Sequence, residues 1–597
     1  EGARQLAWPI VAMSTTLIAV FLPIGFVGGL TGTLFIEFAF TLAATVVLSG
    51  VVALTLAPMM CSRVLRSRRR EARPKFATWL DQRFDRLRDG FRGQLSKWLD
   101  DRHVLALFGL IVLTSCYFLF VTSESELEPP EDSGFMFSIL EADSFATLDY
   151  LQRNTSRLNE LGEKTDAIEG VFLLNGLSGG SGPGATNQGI SGIVLKPWDQ
   201  RDIGTHALLE KTVQPFVDKI PGVQAFAVVP PDLPSPGGGG PPVEFVIGST
   251  DGFESLESFA GQVMAKAMES GRFIFVDSDL AIDRPQQDIR IDRDQAALMG
   301  IDMAQVSGDL STMLAGGFVG RFAMDNRSYR VIPQVQRAER LTPEQVGNFY
   351  TRNRQGELVR MSGLISMEPS VKPQQLKRFQ QLNSVTITGV PRPGVSLGEA
   401  LGILEQAASD ILPRNYKVDY AGQSRQFKSE GQQLVVTFFF AMIVIFLVLA
   451  AQFESFRDSI IMLVTVPMSI AGALIFVSLG LTSLNIYTQV GLLTLVGLIA
   501  KHGILIVEFA NKLQDEGNSK REAIEQSTSI RLRPILMTTA ATVLAMIPLL
   551  IAGGPGAGSR FAIGLVIASG MSIGTAFTLF VVPAIYLYLA RDRSAQS

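Results

Sequence analysis

Apolar residues in this chain gather into long blocks where charge is rare, and these blocks frame two regions of a different rhythm. Runs of eighteen or more largely uncharged residues occupy 8–27, 36–58, 104–121, 434–451, 459–479, 489–511, 535–552 and 561–589. Each is long enough to cross a hydrocarbon core as a helix, so eight membrane spans are predicted. Between the second and third, Phe76, Trp79, Leu80, Phe84, Leu87, Phe91, Leu95, Trp98 and Leu99 recur at spacings of three and four with Arg, Asp and Lys between them. That spacing predicts an amphipathic helix lying along a membrane face; a helix packed on a soluble partner would show the same pattern.

From 123 to 433 the rhythm shortens. Strands at 134–142, 168–175, 189–196 and 222–229 alternate with helices at 145–163 and 203–219, a ferredoxin-like βαββαβ order. A second set opens with strand 243–249, helix 252–270 and strand 272–278, and finishes with strand 383–389, helix 395–412 and strand 416–421. About a hundred residues interrupt its midpoint, opening PQQDIRIDRDQAALMGI at 285–301, and predict a separate mixed α/β subdomain. The stretches SGGSGPGATNQG (178–189) and PPDLPSPGGGGPP (230–242) are rich in Gly and Pro, as moving or threading segments are. The organisation read from this is two spans in 1–61, a basic loop and amphipathic helix in 62–102, and one span in 103–122. The first outer module and the start of the second follow in 123–278, the insert in 279–380, the rest of the second module in 381–432, and five spans in 433–597.

Sliding the chain on itself by 525 residues lays the first pair of spans on the last without a gap. Pro9, Pro23, Gly28, Gly29, Ala43 and Pro58 fall on Pro534, Pro548, Gly553, Gly554, Ala568 and Pro583. The last pair closes a unit of six spans that opens near Val104 with a large loop after its first helix. A duplicated architecture then places roughly 420 residues, with four spans and a second large loop, ahead of Glu1, and twelve spans in the whole. The absence of a starting Met points the same way.

Composition agrees with a membrane protein: 47% of residues are hydrophobic and 18% charged. A net charge of −4 gives no reason to expect a nucleic-acid partner. Thirteen Lys or Arg lie between Arg63 and Arg102 and five more between Lys512 and Arg533, which makes both segments cytoplasmic and puts 123–433 outside. The two cysteines, Cys61 and Cys116, lie at or in spans, so the outer region cannot depend on disulfides.

Candidate chemistry is sparse. No Gly-Lys dipeptide occurs, so no phosphate-cradling G-x-x-x-x-G-K-[ST] loop exists, and no nucleotide bound by this chain supplies energy. Three histidines, His103, His206 and His502, leave no H-E-x-x-H motif and little for a Ser-His pair, so the chain is read as a non-enzyme without a cofactor or a metal. The exception to sparseness is GLIAKHGILIVEF (497–509), where Lys501 sits one residue from the middle of an apolar run. An unpaired ammonium there costs several kcal/mol, and no other predicted span carries Asp or Glu in its core; Glu37, Glu454, Asp458 and Glu508 lie toward the ends. The counter-ion is therefore expected outside this chain, and Lys501 is read as a proton-relay residue, with a purely structural charge pair as the alternative. His502, rotated about 100° around the helix, is expected to face another neighbour as an ordinary packing residue. Thr538 and Thr539 follow RLRPILM; taken alone, a threonine in such a helix usually bonds its own backbone.

GLIAKHGILIVEFANK (497–512), RLRPILMTT (531–539) and FLPIGFVGGLTG (21–32) closely resemble the resistance-nodulation-division multidrug efflux pumps of the hydrophobe/amphiphile branch, over the whole chain from that family's fifth span onward. The resemblance implies a proton-driven homotrimer in the inner membrane of a Gram-negative bacterium, exporting small amphiphilic compounds with a periplasmic adaptor and an outer-membrane channel. It implies that the βαββαβ modules are half of a porter domain and the insert half of a docking domain. It also pairs Lys501 with two aspartates on the fourth span and adds Arg531 and Thr538 to the relay. The loop that carries several phenylalanines in members of this family here reads NGLSGGSGPGATNQG after Phe172, so the aromatic stacking of drugs that the resemblance implies has no phenylalanine in this loop to carry it. Phe172, Leu177, Ser178 and Gly189 remain as candidates for the substrate path. Exporters of metal ions and protein-export factors of the same superfamily are the alternatives.

Overall fold

The computed structural model describes residues 2–22, 25, 28–64, 75–176, 186–234, 240–314, 316–373 and 375–592. The first helices are α1 (Gly2–Phe21), α2 (Gly29–Val64), α3 (Lys75–Asp100) and α4 (Arg102–Thr122). The run at 8–27 is helical up to Phe21, and four of its last residues, 23–24 and 26–27, lie outside the described residues. The C-terminal part of the apolar face of α3 is covered by protein, Leu95 and Leu99 being buried with Leu105 and Ala584, while Trp79, Leu87 and Trp98 remain exposed.

The extramembrane region holds two sheets of the same strand order. In the first, β1 (Phe135–Glu141), β2 (Ile168–Asn175), β3 (Gln188–Leu195) and β4 (Gln224–Val228) lie in the order β2-β3-β1-β4, all antiparallel. Alternate residues Met136 and Leu140 point into a core closed by Leu151, Leu158 and Val217 from helical segments at 148–164 and 205–217.

The second sheet opens with β5 (Val243–Ser249), α5 (Phe253–Glu269) and β6 (Phe273–Ser278). The chain then leaves through β7 (Arg284–Ile291) and returns through β8 (Ile365–Lys372), which pairs antiparallel with β7. Between them a small core of Ala296, Ile301, Val306, Val346, Met361 and Leu364 forms apart from the sheet core. An exposed hairpin, Gly320–Met324 with Arg327–Val331, turns at Asp325 and Asn326, both in the left-handed region that a two-residue hairpin turn requires. The sheet resumes with β9 (Lys377–Phe379), β10 (Leu382–Pro391), α6 (Leu397–Ile411) and β11 (Lys417–Tyr420). Strand β5 lies between β10 and β11, and β6 pairs with the far side of β10. The sequence β6-β10-β5-β11 thus repeats β2-β3-β1-β4, and the stacked rings of Phe226 and Phe275, 3.8 Å between centroids, join the two modules.

The remaining helices are α7 (Gly422–Phe453), α8 (Phe456–Leu463), α9 (Thr465–Ser478), α10 (Ile486–Asp515), α11 (Lys520–Leu550) and α12 (Ala557–Leu589). The run at 459–479 is interrupted at Val464, because Pro467 cannot donate to the carbonyl four residues back. Seven helices among the described residues are long and apolar enough to cross a membrane: α2, α4, α7, the α8–α9 pair, α10, α11 and α12. Helix α10 is buried nearly all round, as expected of a helix without a polar face. Helices α9 and α12 pack closely through small residues, and Ser469 donates to the Gly570 carbonyl at 2.9 Å.

Carboxylates fasten the extramembrane region to the bundle at helix N-termini, where free backbone N–H groups and the helix dipole favour negative charge. Glu131 accepts from the backbone N–H of Gly558 and Ser559 at the start of α12, at 3.1 and 2.6 Å. Glu430 does the same for Leu30 and Thr31 at the start of α2, at 2.8 and 3.1 Å.

Candidate functional site

Lys501 lies half-buried in the middle of α10. The helix is packed closely on both sides of it. A Cβ on Gly497, one turn before, would stand 2.9 Å from Leu17 of α1. A Cβ on Gly503 would meet the backbone of Met462 in α8, 2.9 Å from its carbonyl oxygen. Both glycines are therefore required for the approach of neighbouring helices. No carboxylate or hydrogen-bonding side chain reaches the Lys501 ammonium among the described residues.

His502 has the richer surroundings. Its ring is buried, with Nε2 3.5 Å from Oγ1 of Thr538 in α11 and Nδ1 3.4 Å from Oγ1 of Thr575 in α12. Thr539 and Thr575 lie 2.9 Å apart. The hydroxyls of Thr538 and Thr575 donate to the carbonyls of Ile535 and Met571, at 2.9 and 2.6 Å. Both therefore turn lone pairs toward the ring. A ring with one N–H satisfies one of them; a ring with two satisfies both. The arrangement ties the ring to both neighbouring helices through hydroxyl groups.

The structure thus brings Thr538 to His502, which sequence reading treated as a packing residue. Thr575 was not singled out, because a threonine in an apolar run carries no local signal. Arg531 stands elsewhere: its guanidinium carbon is 4.5 Å from the centre of the Phe509 ring, and Phe509 is eight residues, about 12 Å of helix, from Lys501. The Arg531 Nε is buried without a partner among the described residues. A further polar network joins Asp458, Asn511, Tyr586 and Gln514, with Asn511 donating to Asp458 at 3.0 Å and Tyr586 to Asn511 at 2.6 Å.

A central helix with a buried cation, flanked by a duplicated α/β region, is the setting in which the comparison with known proteins decides. Residues 1–590 match the AcrB/AcrD/AcrF family. The chain belongs to this family of resistance-nodulation-division permeases. It is 42% identical over 602 residues to an uncharacterized transporter of Haemophilus influenzae, covering 99% of this chain and 57% of that protein. It is 32% identical to the toluene efflux pump membrane transporter TtgB of Pseudomonas putida, over 98% of this chain and 56% of that protein. The multidrug export protein AcrF of Escherichia coli is 30% identical over 99% of this chain and 58% of its own length. The chain thus spans a little over half the length of the relatives it matches.

In this AcrB/AcrD/AcrF-family chain the candidate substrate-path residues lie far from Lys501. Phe172 is exposed on β2, its ring stacked on Phe135 at 6.5 Å and laid over Gly192, where any side chain would overlap it. Gly189 in β3 pairs with Asn175 on one side and Leu140 on the other. Leu177 and Ser178 lie outside the described residues. Where this region meets the bundle, Glu128 accepts from the backbone N–H of Asp232 and Leu233, at 3.0 and 3.1 Å. Burial, then the neighbouring Asp232 carboxylate, push the Glu128 carboxyl up to about 7.

Proposed function

We propose that this chain is the C-terminal part of a proton-driven exporter of hydrophobic and amphiphilic compounds such as drugs, dyes and detergents. The observation that carries the reading is Lys501: a cation in the middle of a buried apolar helix, without an acidic partner among the described residues. A charge so placed needs a carboxylate, and a carboxylate that gains and loses a proton opposite a fixed ammonium converts proton movement into helix movement. That carboxylate is supplied from outside this chain. Thr538 enters the relay through His502, and Arg531, over the Phe509 ring, is kept in it on the family resemblance alone.

The repeat by 525 residues supports twelve spans in the whole transporter, and the repeated strand order supports reading the two sheets as ferredoxin-like porter modules, with 279–380 as a docking insert. The exposed aromatic surface at Phe172 and Phe135 suits apolar substrates passing over the modules. By this reading the chain sits in the inner membrane of a Gram-negative bacterium, its α/β region in the periplasm, and works with an adaptor and an outer-membrane channel. The names of TtgB and AcrF, a toluene pump and a multidrug exporter, support the substrate class.

The test is dye efflux from cells making the full-length protein, with expression matched by immunoblot. Lys501→Met keeps the volume and removes the charge, and efflux is expected to drop to the level of an efflux-deficient strain. Efflux near wild type in Lys501→Met would leave the lysine a structural charge and end the proton-coupled reading.

A further inference from the structure

A cavity of about 840 Å³ opens between α3, α11 and α12, within the ~300–1,000 Å³ range of ligand sites. Thr575, which faces His502, lies on its wall, but Lys501, His502 and Thr538 do not line it. Its walls are apolar, built from Leu87 and Phe91 of α3, Leu536 and Val543 of α11, and Leu579 and Phe580 of α12. Three hydroxyls also line it, but Thr539 and Thr575 face each other, Thr575 donates to Met571, and Ser572 donates to the Ala568 carbonyl at 2.7 Å. With those bonds made, the polar groups left on the walls are Arg86 and the amide of Gln94, both on α3.

Charge is one-sided. No Asp or Glu lines the cavity, and Arg86 does. Two neighbouring arginines are occupied: Arg88 pairs with Asp85 and Asp89, and Arg533 pairs with Asp81 while lying over the Phe84 ring. Arg86 is exposed and meets no acidic partner among the described residues.

Length is the third constraint. The α11 wall runs from Leu532 to Val543, eleven residues apart, which is about 16 Å of helix and close to half of a ~30 Å hydrocarbon core. The cavity therefore matches one leaflet in depth, apolar along its length and cationic at one end.

We propose that this cleft holds one anionic phospholipid of the leaflet on the α3 side, an acyl chain lying along α11 between Leu532 and Val543 and its phosphate on Arg86. Bound there, the lipid fills the space between α3 and the two helices that carry Thr538 and Thr575. The assignment rests on α3 lying at a membrane face and not on proton coupling, so lipid retention by the Lys501→Met protein tests it apart from transport.

The experiment is native mass spectrometry of the full-length protein, delipidated in detergent and titrated with phosphatidylglycerol, with phosphatidylcholine of the same chains, or with glycerol phosphate. Wild type is expected to retain phosphatidylglycerol several-fold better than phosphatidylcholine and to show no adduct with glycerol phosphate. Arg86→Gln should remove the preference. Gly90→Leu should block both lipids, because Gly90 lines the cavity and a Cβ there meets nothing within 4 Å, so the added side chain fills the cleft without moving the backbone. An unchanged melting temperature in delipidated detergent confirms that each variant is folded. Equal retention of the two lipids by wild type, a glycerol phosphate adduct of equal strength, or wild-type retention by both variants would each overturn the proposal.

Discussion

The Nε2 of His502 lies 3.5 Å from Oγ1 of Thr538, across the interface of α10 and α11, while the opposite ring nitrogen faces Thr575. The residue next to Lys501 is thereby tied to both neighbouring helices. His502→Ala leaves two hydroxyls facing a void, and we expect a loss of about 1–3 kcal/mol, read as a lower melting temperature of the purified protein. Thr538→Val should lose less, and the double variant less than the sum, with a coupling of ~0.5–3 kcal/mol. Strict additivity would show that ring and hydroxyl do not interact.

Gly503 and Gly261 make opposite predictions for the same substitution. At Gly503 a methyl group would press on the Met462 carbonyl and Cα, at 2.9 and 3.0 Å, so Gly503→Ala should destabilise by about 1–3 kcal/mol. At Gly261, exposed in the middle of α5, a Cβ meets nothing within 4 Å, and Gly261→Ala should stabilise that helix by ~0.5–1 kcal/mol. Thermal unfolding of the two variants checks both; equal effects would contradict the close approach of α8 to α10.

Glu128 should make the junction pH-dependent. Its carboxyl is held up at about 7, first by burial and then by Asp232, against an ordinary value of 4.5. Between those values the folded protein holds a proton that the unfolded chain has lost, so this contribution is full below about pH 4.5 and is lost as pH rises to about 7. The gap is worth on the order of 3 kcal/mol at most. Glu128→Gln should flatten the melting-temperature profile over that window. A profile that keeps its slope in the variant would assign the titration to another group.

The Phe172 ring lies over Gly192 on the adjacent strand. Gly192→Val should push the ring off the sheet and lower efflux of an apolar dye several-fold, as should Phe172→Ala, with expression and melting temperature held. Unchanged efflux in both variants would take this surface out of the substrate path.

Much of the architecture depends on local periodicity and could be read directly. The strand expected at 189–196 is Gln188–Leu195, and the helix expected at 252–270 is Phe253–Glu269. Alternation of two and spacing of three to four are set by the backbone hydrogen bonds of strand and helix, which involve near neighbours. Lys501 was legible for the same reason: the energy of a charge in an apolar run depends on the run alone. The break at Val464 was not read, although Pro467 announces it, because mean apolarity across 459–479 conceals one missing N–H.

The sequence by itself determined that the chain crosses a membrane, carries two copies of one strand–helix order, and places a lone cation at the centre of a span. Only the tertiary structure decided which side chains meet. Thr538 and Thr575 stand 36 and 73 residues from His502, on separate helices. Their meeting depends on how closely those helices cross, which is fixed by small residues such as Gly491 and Gly570 between α10 and α12 and Gly564 between α12 and α11. The floor of the α3 cleft follows the same rule: the spacing of Leu87 and Phe91 shows an apolar face, but the ring of Phe580, from the far end of the chain, decides what part of that face remains uncovered.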